Sequence, residues 1–148
     1  ACHKNYRDRL VSLALFGSVA RHTQRPDSDI DLLLVVDDLP NGRIPRVREF
    51  EPVEQQLEAA MGDAAAHGIH TRLSPLFKTP AELEIGSPIL LDMVEDARLL
   101  FDRDQVLARR IERLRQRLVE LRARRIRKGG GYYWQMKPDF KPGDIIEL

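Results

Sequence analysis

Two apolar runs, Leu10–Phe16 (LVSLALF) and Ile30–Val36 (IDLLLVV), constrain this chain more than any other feature. At seven residues each, they are short for helices and too continuously apolar for strands with one wet face. They read as buried strands, which need helices to cover them and place the chain in the α/β class. The segment between them is not apolar at all. Gly17-Ser18 turns the chain out of the first run, and Asp29 and Asp31 stand at the mouth of the second. An apolar strand requires neither feature for its own stability.

The rest of the pattern fills in around this pair. Ser18 reads as the N-cap of a brief helix reaching about residue 22, and Pro26-Asp27-Ser28 is turn chemistry. Residues 39–42 (LPNG) form a loop. From 46 to 61, Val47, Phe50, Val53, Leu57 and Ala60 recur at spacings of three and four, which predicts an amphipathic helix. Residues 69–77 predict a third strand, weakened at its far end by Pro75, and residues 97–101 a last one. Thr79-Pro80 and Ser87-Pro88 open two short helices, with proline at the first helical position of each. Residues 103–128 carry the longest helical pattern, with Leu107, Ile111, Leu114, Leu118 and Leu121 on one seam and Gly129-Gly130-Gly131 as the stop. The tail, 132–148, holds Tyr132, Tyr133, Trp134 and the pair Ile145-Ile146, and is expected to pack back on the domain.

The composition, 43% hydrophobic and 32% charged over 148 residues, suits one globular core and excludes a disordered chain. No apolar run approaches the ~18 residues that would span a bilayer. One cysteine, Cys2, excludes an internal disulfide framework and a cysteine-built zinc site. With no secretory leader in view, the expected location is the cytoplasm. The four histidines share no metal-ligand spacing. The net charge of +1 conceals an asymmetry: residues 103–128 hold eleven basic residues against three acids, a net +8, so the remainder carries −7. Three readings account for that arm. Its leucine seam packs on its own domain with the arginines solvated, or pairs with a partner protein or second copy, or its charge binds nucleic acid.

Residues two apart on a strand project from one face, with Cα atoms about 6.6 Å apart. Asp29 and Asp31 therefore aim two carboxylates the same way, an oxygen-rich set suited to Mg²⁺ or Mn²⁺. A glycine at a strand end lets backbone approach a ligand, and the following N–H groups face anions. The Ser18 hydroxyl adds a donor for a β- or γ-phosphate. One element thus cradles a triphosphate while the next holds its metal.

These residues, Leu15-Phe16-Gly17-Ser18-Val19-Ala20-Arg21 followed by Ser28-Asp29-Ile30-Asp31-Leu32, resemble the signature of the DNA polymerase β-like nucleotidyltransferase superfamily. That signature is a Gly-Ser pair followed about ten residues later by Asp-x-Asp, and the chain is similar in size to the minimal nucleotidyltransferases. The resemblance implies a mixed sheet with flanking helices. It also implies Mg²⁺-dependent transfer of a nucleoside monophosphate, AMP from ATP or another nucleoside triphosphate, onto a hydroxyl. Asp29 and Asp31 would be the catalytic metal ligands, and Gly17, Ser18, Arg21 and Ser28 the nucleotide contacts. Residues 1–102 form the core, and 103–148 a basic helix and ordered tail on the same domain. Standalone relatives often act as antitoxins that modify a paired toxin, so a partner protein is expected. Catalytic members usually add a third carboxylate on a later strand, yet residues 70–76 (HTRLSPL) contain no acid. Asp63, Glu82 and Asp92 are substitutes between which spacing does not choose. The alternative is a nucleotidyltransferase-fold binding or antitoxin module that lacks full catalysis.

Overall fold

The computed structural model describes residues 1–129, 131–139, 141 and 146. Both apolar runs are strands with the expected bounds, β1 (Leu10–Phe16) and β2 (Ile30–Val36). They pair antiparallel at the centre of a four-stranded mixed sheet of order β3-β2-β1-β4, with β3 at Leu73–Lys78 and β4 at Arg98–Asp102. β3 runs parallel to β2. That geometry needs a crossover, which α3 (Arg43–Ala66) supplies.

Side-chain alternation along the central strands builds two cores. Leu32, Leu34 and Val36 face Tyr6 of α1 (Cys2–Tyr6) and Phe50 and Val53 of α3. Val11, Ala14, Phe16, Leu33 and Val35 face the other way, onto α4 (Pro80–Ile85), α5 (Ile89–Asp96) and α6 (Val106–Glu120). Leu83, Leu90, Met93 and Leu107 of these helices are at most 1% exposed, so the sheet is covered on both faces, as its composition requires. Asp31, inside β2, shares the parity of Leu33 and Val35 and so continues the face that α4–α6 cover, while Asp29 lies just ahead of the strand.

Local signals explain most boundaries. Thr79 and Glu82 close a reciprocal capping box on α4, with Pro80 at its first position. Asp102 starts α6 from outside the helix, accepting from the backbone of Leu107 (3.0 Å) and Ala108 (2.9 Å). The same carboxylate satisfies the fully buried Ser12 hydroxyl at 2.6 Å. The α3 helix is longer than its periodicity, because residues 43–45 extend it at the start and residues 62–66 at the end.

The helix expected over 103–128 is corrected. α6 stops at Glu120, Arg122 turns to a left-handed φ of 55°, and Arg124–Lys128 is a strand, β5, paired antiparallel with β6 (Gly131–Gln135). Leu107, Ile111, Leu114 and Leu118 lie in the chain's own core, so this seam is not open to a second helix. A partner surface on this segment must use its arginine face or the hairpin. Within the described part of the tail, Trp134 and Met136 pack against the α4–α6 core. Ile145, named with that tail, lies outside the described residues. No helix among the described residues is long and apolar enough to cross a membrane.

Candidate active site

The Gly-Ser corner is α2 (Gly17–Ala20), a single turn directly after β1. Phe16, not Ser18, is its N-cap residue, and no side chain caps it. Ser18 therefore lies inside the turn, half-buried, and among the described residues its hydroxyl has no hydrogen-bond partner. Its carbonyl accepts from the Thr23 backbone at 3.0 Å, which closes the turn behind it.

Gly17 is required by what stands opposite. Its φ is +71°, and a Cβ there would lie 3.0 Å from Cγ of Asp31 and closer still to Oδ2. Glycine thus meets both a backbone and a space demand. The first group admitted to the bare backbone is the Asp31 carboxylate, so the Gly-Ser corner and Asp-x-Asp strand form one unit. Antiparallel pairing of Phe16 with Asp31 sets that contact.

Asp31 is half-buried, whereas Asp29 is exposed just before β2. Burial raises the Asp31 pKa above the ordinary carboxylate value; a hydrogen bond from Ser74 opposes the rise, the charge of Asp29 adds to it and Arg21 opposes it. A divalent cation on the two carboxylates would relieve the desolvation and repulsion together. The donor set of hard oxygens, with no thiolate or imidazole, fits Mg²⁺ or Mn²⁺. Among the described residues no group of three or more His, Cys, Asp or Glu is placed to hold a metal.

Ser74 occupies the strand position beside Asp31 in the parallel β2–β3 register. This is where an additional acid could have joined the pair, and a hydroxyl stands there instead. The three substitutes are engaged elsewhere or placed elsewhere. Glu82 takes two hydrogen bonds of 2.8 Å from Arg46, which hold its pKa down at about 2, and it also accepts from the Thr79 backbone. Asp92 accepts from the Tyr132 hydroxyl at 2.6 Å. Asp63 lies near the end of α3.

Asp31 opens on a cavity of about 640 Å³ bounded by Phe16, Arg46, Ser74, Leu76, Glu82 and Ile89. Its walls join apolar surface to the Arg46–Glu82 pair. Arg21 leaves the end of α2 toward Asp96, 3.6 Å away. The Ser28 hydroxyl accepts from the Arg25 backbone at 2.8 Å and thereby shapes the turn that delivers Asp29. Sequence reasoning placed Gly17, Ser18, Arg21, Asp29 and Asp31 at one end of the β1–β2 pair but missed Ser74 and Arg46. The signal for Ser74 was the parallel register, visible only once β2 and β3 are paired.

The nucleotidyltransferase domain family matches residues 2–87 of this chain. A relative from Methanocaldococcus jannaschii (strain ATCC 43067 / DSM 2661 / JAL-1 / JCM 10045 / NBRC 100440), named "Putative protein adenylyltransferase MJ1305", is 29% identical over 116 residues, which covers 77% of this chain and 74% of the relative. Among solved structures, a crystal structure described as a toxin-antitoxin with AMP-PNP superposes with a TM-score of 0.51 at 18% identity. It covers 81% of this chain and 86% of that one. The likeness at that identity is one of fold.

Proposed function

Because the chain belongs to the nucleotidyltransferase domain family, we propose that it transfers AMP from ATP to a hydroxyl on a partner protein. The observation that carries this reading is the Asp31 carboxylate pressed against the bare backbone of Gly17, with Asp29 two residues ahead of it just before β2. It brings the oxygen donors for a cation to the corner whose N–H groups and free hydroxyl suit phosphate. The adenylyl group and protein acceptor follow the name of the archaeal relative.

In the reaction, the acceptor oxygen forms a bond to the α-phosphorus while the bond from that phosphorus to the bridging oxygen breaks. Pyrophosphate leaves with the bonding electron pair, and the hydroxyl proton passes to water. Asp29 and Asp31 would hold Mg²⁺ or Mn²⁺, which when bound offsets the negative charge of the phosphates. The Gly17 backbone and Ser18 hydroxyl donate to phosphate oxygens, Arg21 adds positive charge, and Ser28 fixes the turn before Asp29. The apolar walls at Phe16, Leu76 and Ile89 suit a nucleobase, with the Arg46–Glu82 pair as its polar edge.

The experiment is a thermal shift with Mg²⁺ and ATP. The wild type is expected to gain stability with both present, and the Asp29→Asn/Asp31→Asn variant to gain none. Equal shifts in the two proteins would remove the assignment.

A second reading has its own observation. Ser74 stands beside Asp31 where an acid could complete a two-cation site, so the same pocket serves a binding or antitoxin module with weak turnover. Mg²⁺-dependent ATP binding without transfer to any protein would favour that module.

A further inference from the structure

The hairpin that replaces the end of the expected helix builds a second cavity. About 540 Å³ in volume, it lies between the exit of α2 and β5–β6, and is lined by Arg21, Thr23, Arg125, Arg127, Lys128 and Tyr132, with Gly129 and Gly131 at its rim. Four cations face it and no carboxylate lines it.

The hairpin is held in place from behind. Asp96 at the end of α5 takes Arg125 at 2.9 Å and Arg21 at 3.6 Å, so one carboxylate ties the hairpin to α2. Glu95 adds a second partner for Arg125. The Arg125 guanidinium lies 3.6 Å from the centre of the Tyr132 ring, and the Tyr132 hydroxyl is fixed by Asp92. These contacts occupy Arg125 and half-occupy Arg21. Arg127 and Lys128 are exposed and, among the described residues, have no ion pair. They leave the cavity with uncompensated positive charge. A Cβ at Gly129 would meet nothing within 4 Å, so ligand atoms can reach the backbone there.

Arg21 links this cavity to the reaction centre. It lines the basic cavity and ends α2, the single turn whose Gly17 faces the Asp31 carboxylate. We propose that the basic cavity is an anion site for the β- and γ-phosphates of the nucleotide, and that Arg127 and Lys128 hold the departing pyrophosphate. This rests on the nucleotidyl-transfer reading and extends it to a part of the chain beyond the family match, which ends at residue 87. The chemical need is specific. With Ser74 in place of an acid beside Asp31, the described residues supply two carboxylates, a poor setting for a second cation. The Arg127 guanidinium and Lys128 ammonium that line the cavity supply that positive charge instead.

The test compares the wild type with Arg127→Ala/Lys128→Ala by calorimetry, using ATP, AMP and inorganic pyrophosphate in Mg²⁺, and a short single-stranded RNA. A thermal melt of each protein checks that the exposed substitutions leave the fold intact. The site predicts that the double variant binds ATP and pyrophosphate about 10-fold or more weakly, that AMP binding is unchanged, and that Arg127→Lys recovers part of the loss. Unchanged affinity for ATP and pyrophosphate would overturn it. So would an equal loss for ATP and AMP, which marks a structural effect, or a loss confined to RNA, which marks an acceptor surface. Failure of the transfer reading looks different: Asp29→Asn/Asp31→Asn would then bind Mg²⁺-ATP as the wild type does, whatever the hairpin contributes.

Discussion

Asp31 sits where stability alone would not put a carboxylate. Burial raises its pKa in the folded chain, so the fold is favoured by the protonated form. That stabilisation is present below the ordinary value of 3.8 and is lost as pH rises through the folded pKa. At neutral pH the ionised group therefore costs stability. Asp31→Asn is expected to melt higher than the wild type by about 2 °C while losing the Mg²⁺-ATP response; a lower melting temperature would mean that the carboxylate supports the fold. Gly17→Ala is expected to lose both stability and activity. Its Cβ would displace the Asp31 carboxylate, so transfer should fall about 100-fold with a loss of stability near 1 kcal/mol. Kinetics and a denaturant titration on the same sample separate the two effects. At this scale the sequence was informative: the Gly-Ser pair and two alternating acids carry their meaning in identity and spacing. Ser74 was not legible, because a hydroxyl near residue 74 has no significance until β3 pairs with β2.

Among the elements, those with local instructions were readable, while those set by tertiary pairing were not. The apolar runs gave β1 and β2, and Thr79-Pro80 gave α4, since a cap and a proline act within one turn. The segment 121–128 misled because its arginines suit a helix by propensity and Leu121 prolongs the seam. The left-handed Arg122 and the pairing of Ile126 with Tyr133 override that tendency. The α4 cap also carries an acid-sensitive bond. Arg46 holds the Glu82 pKa at about 2 against an ordinary 4.5, so this stabilisation is complete above 4.5 and disappears as pH falls through 2. Glu82→Gln should flatten that part of the stability-against-pH curve, measured by chemical denaturation from pH 5 to pH 2. A curve that keeps its slope would place the acid sensitivity in another group.

For the whole molecule, the α/β class and the covered sheet follow from the continuity of two short apolar runs. The charge asymmetry acquires a shape that composition does not specify: a leucine seam turned inward, and a cationic hairpin beside α2. The proposed site is the meeting of β1, α2 and β2 at one end of the sheet, with Asp29 and Asp31 as its proposed chemical centre. The most direct measurement incubates the protein and its cell extract with Mg²⁺ and ATP labelled on either the α- or the γ-phosphate. Transfer of AMP predicts a labelled protein from α-labelled ATP alone, and none from the Asp29→Asn/Asp31→Asn variant. Label from γ-labelled ATP, or label that persists in the double variant, would contradict the account.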